Sequence, residues 1–353
     1  MATLIKEQRN HGIEADAFFF SDLGGATHFV DICCVRFANS SSLTELLLNH
    51  EYDLLHVISG AAPNARLCAK RSSFQGAIVE TCHGTFHEWS DSHCITAVSQ
   101  HTANAIQGRC EKLIQIIPNG IDTNRFSIGQ RLKLDNPRPQ VAWIGRYVDY
   151  LKDFDGFIAL ANSSAMADFA FEVVDGSMIE YDFQHWLPSQ TMVTRKKSWS
   201  EMPDFYRGIR DSGGLVVSTS RSESFGLSLI EAGSCGCPVA APKVGGIAEV
   251  IEHKKTGYLY DRSGGTEALI EAINWIRSDS NYDSISKNAS AHVQDKYTSS
   301  RMFESYCNVY EQALDLNKGS RHFLFSRALP IVKRSFLKSA QLIGFYKRKE
   351  CPK

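Results

Sequence analysis

Two carboxylates, Glu223 and Glu231, lie eight residues apart in the segment STSRSESFGLSLIEAGSCGCPVAAPKVGGIAEVIEHKKTGYLYD. Between them, Phe225, Gly226 and Leu227 have the pattern of a turn that begins a helix. The first backbone N–H groups of a helix have no partner within it, and the positive end of the helix dipole lies there. Such a helix start can hold a phosphate or diphosphate while the two carboxylates accept hydrogen bonds from sugar hydroxyls. The spacing therefore predicts a nucleotide-sugar site.

The elements that must position these residues alternate between strand-like and helix-like runs, as in βα units. The strands predicted in the first half are Ile13–Phe20, His28–Val35, Asp53–Ile58, Ala77–Thr81, Cys94–Val98 and Glu111–Ile117, and the helices are Ser41–Asn49 and Thr102–Gly108. Residues 126–140, FSIGQRLKLDNPRPQ, are polar, hold two prolines and have the composition of a linker.

The alternation restarts after this linker. The predicted strands are Val141–Ile144, Phe171–Val174, Gly214–Val217 and Pro238–Ala240, and helices are predicted from about Phe154 and over Met202–Gly208, besides the helix that carries Glu231. Two α/β domains of the doubly wound, Rossmann-like class are therefore predicted, facing each other over a central cleft. Ligands of such sheets bind beyond the carboxyl ends of the strands.

Length and composition agree with two domains of ordinary size. The chain has 353 residues, of which 43% are hydrophobic and 22% are charged. The sequence contains no apolar run long enough to span a membrane and no signal-peptide pattern at its start, so a cytoplasmic protein is expected. The ten cysteines lack the paired spacing of a zinc site and are expected to be reduced thiols, mostly buried.

Six motifs in chain order carry a specific resemblance: DLLHVIS, TCHGTF, AVSQHT, IIPNGIDTNRF, WIGRYVDYLKD and the segment that holds the two glutamates. The chain resembles the retaining glycosyltransferases of family 4, in the glycosyl transferases group 1, over about Ile13 to Tyr310. That resemblance implies the two-domain GT-B fold and transfer of a sugar from a nucleotide-sugar donor to a hydroxyl of a saccharide or lipid-linked acceptor. It also implies retention of configuration, no metal or other cofactor, and a setting in cell-surface polysaccharide or glycolipid synthesis.

The resemblance also implies roles for individual residues. Glu223 matches the residue that contacts the donor sugar, and Glu231 matches the residue that binds the ribose hydroxyls. Arg146 and Lys152 match the pair of cations that neutralise the leaving diphosphate. The predicted catalytic residues are Glu223, His83, Arg146 and Lys152, and the predicted donor-binding residues are Glu231, Ser224, Phe225, Gly226, Leu227, Gly145, Asn119, Gly245 and Gly246.

Two further groups of residues have competing interpretations. Asp153-Phe154-Asp155 imitates a D-x-D metal motif, but it lies at a predicted helix start, where capping by Asp is expected. His83 follows a strand at the position of the family's cleft-facing histidine, whereas His56 is expected to pack in the core.

The predicted divisions of the chain are residues 1–130 for the acceptor-side domain, 131–298 for the donor domain, 299–317 for a helix that returns toward the first domain, and 318–353 for a basic tail. Relatives open with a strand and a glycine-rich loop, which the pattern before His11 lacks. A late gene start, a substitute segment and a natural truncation are open explanations. The Gly24-Gly25 turn after Phe18–Phe20 is a candidate for the substitute.

The segment from Leu316 to Lys353 has ten Lys and Arg residues and one acidic residue, so the rest of a chain of net charge −1 is acidic. Residues 330–346 alternate cationic and apolar positions, which is typical of helices that lie on anionic membranes. Peripheral contact with the inner face of a membrane is therefore an expectation, with a free tail as the alternative. Nucleic-acid binding is not expected, because the remainder of the chain is acidic.

Two other functions stay open at the level of the sequence. The absent opening strand would suit a nucleotide-sugar-binding subunit that needs a partner chain for acceptor recognition. A nucleotide-sugar epimerase on the same fold is the other alternative, although the spacing of Glu223 and Glu231 and the Arg146–Lys152 pair go with transfer. Acceptor-dependent release of nucleoside diphosphate distinguishes transfer from both.

Overall fold

A computed structural model describes the chain except residues 21–25, 30, 38, 50–51, 59–61, 85–91, 109–111, 133–137, 178–181, 196, 279 and 318–353. The helices are α1 (Ala2–Asn10), α2 (Ser40–Asn49), α3 (Ala62–Arg71), α4 (Gln100–Gln107), α5 (Phe154–Ala161), α6 (Met202–Asp211), α7 (Leu227–Ser234), α8 (Ile247–Val250), α9 (Gly265–Arg277), α10 (Tyr282–Lys296) and α11 (Ser299–Leu316). The strands are β1 (Ala17–Phe19), β2 (Val35–Phe37), β3 (Leu54–Ile58), β4 (Ala77–Cys82), β5 (Cys94–Ala97), β6 (Ile114–Ile116), β7 (Gln140–Gly145), β8 (Ala170–Asp175), β9 (Met192–Arg195), β10 (Leu215–Val217), β11 (Val239–Pro242) and β12 (Tyr258–Tyr260).

The described residues form two compact units. The first contains residues 1–120 together with α11, and the second contains residues 121–298. The segment predicted as a linker begins inside the second unit, where Phe126 is fully buried. Arg207 on α6 holds this segment by donating to the carbonyl oxygens of Arg125 and Ser127.

The second unit is built on a six-stranded parallel sheet in the order β12-β11-β10-β7-β8-β9. The chain runs outward from β7 through β8 to β9 at one edge, returns to β10 beside β7, and runs outward through β11 to β12 at the other edge. This is the doubly wound order. The direction of winding reverses between β7 and β10, which pair in register with Val141 opposite Leu215. In an open parallel sheet of this kind, the crevice outside the carboxyl ends of the two central strands is where ligands bind.

The core of the second unit is aromatic on the side covered by α5. Trp143 of β7 contacts Phe154 and Phe157 of α5, and Phe157 meets Phe171 of β8 edge to face. All four side chains are buried. Their fixed packing gives β7 and α5 a rigid relationship, and the loop between them carries Arg146 and Lys152.

The first unit contains a four-stranded parallel sheet in the order β3-β4-β5-β6 and a separate parallel pair, β1 with β2. Helices α1 and α11 share one core with this sheet, in which Leu4 and Tyr310 are both fully buried. The strands predicted near β3, β4 and β5 are confirmed within one residue at each end, because their apolar runs are bounded by polar and turn residues.

A hydrogen-bonded network of polar side chains joins α11 to this sheet. His56 lies between two hydroxyls, with Nδ1 at 2.7 Å from Tyr310 Oη and Nε2 at 2.7 Å from Thr81 Oγ1. Thr81 Oγ1 also lies within 2.9 Å of Tyr306 Oη. Burial lowers the pKa of His56 to about 3, so the ring is neutral at physiological pH. The predicted packing role of His56 is confirmed.

Some secondary-structure elements differ from those predicted from the sequence. The strand predicted over His28–Val35 is wrong for most of its length, because Phe29 is buried and its carbonyl accepts from the N–H groups of Ile32 and Cys33, which forms a turn. Strand β2 begins only at Val35. Helix α3 and the strands β9 and β12 were not predicted at all, since they are short and their apolar periodicity is weak.

Four remaining expectations concern the thiols, the basic tail, the Gly24-Gly25 turn and the membrane. Cys33, Cys68, Cys82, Cys94, Cys235, Cys237 and Cys307 are free thiols, whereas Cys34 is disulfide-bonded, contrary to the expectation of reduced thiols. The predicted basic tail and the Gly24-Gly25 turn lie outside the described residues. Within the described ranges, no helix has the length and apolar character needed to cross a bilayer.

Candidate active site

The loops that leave β7 and β10 meet at the point where the winding of the second unit reverses. Strand β7 ends at Gly145 and is followed by Arg146, and β10 ends at Val217 and is followed by the segment that leads to Glu223. Because β7 and β10 are neighbours, their carboxyl ends lie side by side. The fold therefore brings the two predicted groups of site residues to one edge of one sheet.

Helix α7 begins at Leu227, as the sequence predicted. Its cap is Gly226, at φ 98 and ψ 48, a left-handed conformation that favours glycine. The hydrogen bond from Leu229 N to Gly226 O closes the first turn, at 3.0 Å. The amides of Leu227 and Ser228 precede it and have no partner within the helix. With the positive end of the dipole, these N–H groups can bind an anion.

Gly245 and Gly246 pack against the backbone of the segment that holds Glu223. Gly246 N donates to Glu223 O at 2.8 Å. A Cβ at Gly246 would lie 2.2 Å from Ser224 O, and one at Gly245 would lie 2.3 Å from Glu223 O. The two glycines are therefore required for close backbone packing that fixes Glu223, Ser224 and Phe225, whose ring is buried against Tyr297.

Lys152 and Glu223 form an ion pair between Nζ and Oε2. The two side chains are 25% and 21% exposed, so the pair is accessible but partly shielded from water. Lys152 comes from the loop after β7 and Glu223 from the loop after β10, 71 positions later in the chain. The structure thus joins a predicted cation for the diphosphate to a predicted contact for the sugar.

Hydrogen bonds to backbone carbonyl oxygens join the two loops that carry this ion pair. Thr219 Oγ1 donates to the carbonyl oxygens of Lys152 and Asp153 at 3.0 and 2.8 Å, and accepts from Trp143 Nε1 at 3.1 Å. Arg221 N donates to Leu151 O at 2.8 Å. Thr219 was not among the predicted site residues, since a lone threonine after a strand gives no distinctive signal.

The side chain of Asp153 does not cap α5, so the predicted capping role is wrong. The residue occupies the cap position in a left-handed conformation, φ 50 and ψ 58, whereas capping side chains usually need an extended backbone. Its buried carboxylate instead binds Arg221 through Oδ1 and Arg262 through Oδ2. Among the described residues, no three His, Cys, Asp or Glu side chains form a group that could hold a metal ion.

Arg146 lies on the same loop as Lys152 but makes a different contact. Its guanidinium forms an ion pair with Asp149, three residues later, and the arginine side chain is 61% exposed. The preceding residue, Gly145, packs against the ring of Trp143. A Cβ added at Gly145 would lie 2.7 Å from Cη2 of that ring. Arg146 is therefore accessible to a ligand at the end of β7, with its charge partly balanced by Asp149.

Glu231 lies one turn into α7 and accepts a hydrogen bond from Tyr206 Oη at 3.1 Å. Burial raises the pKa of Glu231 to about 7, and the hydroxyl of Tyr206 opposes this rise by donating to the carboxylate. Tyr206 is fully buried on α6. The sequence did not identify Tyr206, because it stands in an amphipathic helix among other apolar residues.

The two remaining predicted site residues belong to the first unit. His83 directly follows β4, and burial is the main cause that lowers its pKa, to about 4. Asn119 follows β6 in irregular chain, next to Gly120, whose N–H donates to Met302 Sδ at 3.2 Å. His83 is therefore neutral at physiological pH, as a hydrogen-bonding group near a sugar would be.

Both units of the chain resemble known proteins. The family described as glycosyl transferases group 1 matches residues 125–292, and the family described as glycosyltransferase family 4 matches residues 3–125. N-acetyl-alpha-D-glucosaminyl L-malate synthase of Bacillus anthracis is 33% identical over 107 residues, which are 30% of this chain. The chain spans only 28% of the length of that relative.

Two solved structures are similar over most of their length. A glycosyltransferase from Rickettsia africae ESF-5 has a TM-score of 0.74 at 16% identity, covering 88% of this chain and 93% of its own. Anabaena Alr3699/HepE in complex with UDP-glucose has a TM-score of 0.70 at 18% identity, covering 87% and 94%. The predicted GT-B fold, with two Rossmann-like domains, is confirmed. Because the two family matches together span residues 3–292, the chain belongs to the group 1 glycosyltransferases.

Proposed function

We propose that this protein transfers a sugar from a nucleoside diphosphate sugar to a hydroxyl of a saccharide or lipid-linked acceptor, with retention of anomeric configuration and without a metal ion. The observation that carries the proposal is the Lys152–Glu223 ion pair beside the start of α7. A cation, a carboxylate and the first amides of a helix, in loops at the carboxyl edge where a doubly wound sheet binds ligands, support the proposal.

Each group has a task in this reaction. The amides of Leu227 and Ser228 bind the diphosphate, and Lys152 neutralises the charge that builds up as it departs. Arg146 adds a second positive charge from the same loop. Removing one preorganised donor of this kind typically costs about 3 kcal/mol of transition-state stabilisation.

The carboxylates bind the two sugars of the donor. Glu223 leaves Lys152 when the diphosphate arrives, and then accepts a hydrogen bond from the transferred sugar. Glu231 accepts hydrogen bonds from the ribose hydroxyls. Attack and departure then occur on one face of the sugar, with the leaving phosphate taking the proton of the acceptor hydroxyl.

UDP-sugars are the first donors to test, because HepE, whose fold is similar, was solved with UDP-glucose. Calorimetry with UDP-, GDP- and ADP-sugars should show tight binding to one nucleotide class, with no loss in EDTA. Acceptor-dependent release of the nucleoside diphosphate, with NMR of the product, reports transfer and anomeric configuration. Binding to no nucleotide sugar, or an inverted product, would contradict the proposal.

Membrane association through residues 318–353 is part of the proposal for a lipid-linked acceptor. The ten cations of that tail support it, since each contributes roughly 1 kcal/mol near an anionic leaflet. Salt-sensitive sedimentation with anionic liposomes tests it. A tail deletion that sediments as well as the full chain would remove the tail from this role.

A further inference from the structure

Asp153 is a charged residue beside the proposed site to which no step of the transfer has been assigned. Its carboxylate is 9% exposed and binds two guanidinium groups, one oxygen to Arg221 and the other to Arg262 at 2.5 Å. The two arginines come from different loops, after β10 and after β12. One carboxylate therefore joins three loops at the carboxyl edge of the sheet.

Hydrogen bonds also hold the backbone of Asp153 in an unusual conformation. A non-glycine residue at φ 50 is unfavourable and persists only where its surroundings hold it, although Asp tolerates this conformation better than most residues. Thr219 Oγ1 donates to the carbonyl oxygen of Asp153 at 2.8 Å, and the N–H of Gly156 donates to the same oxygen at 3.1 Å. The conformation turns the chain sharply between Lys152 and α5.

The position of Asp153 in the chain gives this arrangement a consequence for the ion pair. Asp153 directly follows Lys152, and its partner Arg221 stands two residues before Glu223. The guanidinium of Arg221 is also fixed over the ring of Tyr150, 4.4 Å from its centroid. The contact between Asp153 and Arg221, together with the hydrogen bonds from Thr219 Oγ1 and Arg221 N, thus holds together the two chain segments that carry Lys152 and Glu223.

We propose that Asp153 is a positioning residue that holds Lys152 opposite Glu223 by clamping Arg221 and Arg262. The inference rests on the proposed function, in which Lys152 neutralises the leaving diphosphate. When the donor binds and Glu223 leaves Lys152, the clamp keeps Lys152 in the position in which it neutralises the diphosphate. A misplacement of about 1 Å in such a group costs on the order of 100-fold in rate.

Charge distinguishes this role from a purely structural one. Lys152, Arg221 and Arg262 are cationic and Asp153 and Glu223 are anionic, so neutralising Asp153 makes the group more positive by one charge. An anionic donor then binds at least as tightly, while the misplaced Lys152 stabilises the departing phosphate less. Asp153→Asn should lower kcat by about 100-fold and leave the donor KM unchanged or lower.

The experiment compares Asp153→Asn, Lys152→Ala and the double variant, with Asp155→Asn as the matched control. Asp155 belongs to the same motif but is exposed, so its substitution should change neither kcat nor KM. Because Asp153 acts through Lys152, the double variant should be no slower than Lys152→Ala. Losses in kcat that multiply in the double variant would overturn the inference.

Two further measurements keep the inference testable under every outcome. Should Asp153→Asn not fold, Arg262→Gln removes the other end of the clamp, and it should lower kcat with the donor KM retained. A crystal structure of either variant should show Lys152 Nζ more than about 4 Å from the carboxylate of Glu223. An intact Lys152–Glu223 contact in the variant would overturn the inference, whether or not the wild-type protein transfers a sugar. Absence of sugar transfer by the wild-type protein would count only against the proposed function.

Discussion

Proton release should accompany nucleotide binding, because the pKa of Glu231 is raised to about 7 by burial. In the proposed binding mode the carboxylate of Glu231 accepts hydrogen bonds from the ribose hydroxyls, and the ionised form is the stronger acceptor, so binding should favour loss of this proton. At pH 5.5, about one molecule in thirty has an ionised Glu231, and the affinity should be about 30-fold below its value at pH 8.5. Binding near pH 6 should release nearly one proton from this residue.

The assay is calorimetric titration with the nucleoside diphosphate of whichever donor the protein binds, at several pH values and in buffers of different ionisation enthalpy. The phosphate of the ligand titrates in the same range, so the informative quantity is the difference between the wild type and Glu231→Gln. The variant lacks the group, and its affinity should follow the phosphate alone. Equal proton release by both proteins would refute the assignment of Glu231 to the ribose.

Tyr206→Phe provides a second perturbation in a known direction. The hydroxyl of Tyr206 donates to Glu231 and lowers its pKa, so its removal should move the midpoint of the affinity curve to higher pH. Stability should respond as well. Since the folded pKa of Glu231 lies above the unfolded value of 4.5, the folded state holds a proton that the unfolded state loses. Stability therefore falls as pH rises from 4.5 to 7, by about 3 kcal/mol at most, and Glu231→Gln should remove this fall.

Other substitutions test the remaining parts of the site. Lys152→Ala should lower kcat by about 100-fold in steady-state transfer assays, while a change confined to KM would contradict its action on the leaving group. Gly246→Ala should strongly weaken the binding of nucleoside diphosphate in calorimetry, because its Cβ meets Ser224 O at 2.2 Å; full affinity would show that this backbone packing is dispensable. His56→Leu should lower the denaturation midpoint, because two hydrogen bonds worth about 0.5–1.5 kcal/mol each are lost, while Thr81 keeps Tyr306 and Tyr310 keeps Gln8 as a partner; an unchanged midpoint would exclude that role.

Much of the second unit could be predicted from local pattern. The start of α7 follows from Gly226 before an apolar helical run, and β7, β8 and β10 follow from short apolar segments between polar ones. These signals are local, because capping and periodicity depend on neighbours a few residues apart. The same kind of signal failed for Asp153, because the left-handed backbone that diverts its carboxylate from α5 is imposed by the surrounding loops.

The residue types of the site, and the elements that bear them, follow from the sequence: two glutamates around a helix start, cations after a strand, and two glycines in a following loop. Which of these residues contact each other depends on the arrangement of the strands and helices. Lys152 meets Glu223 because β10 lies beside β7, and the pKa of Glu231 is raised to about 7 because tertiary packing buries its carboxyl group. Strand order and burial arise from packing between segments far apart in the chain, and no local pattern records that packing.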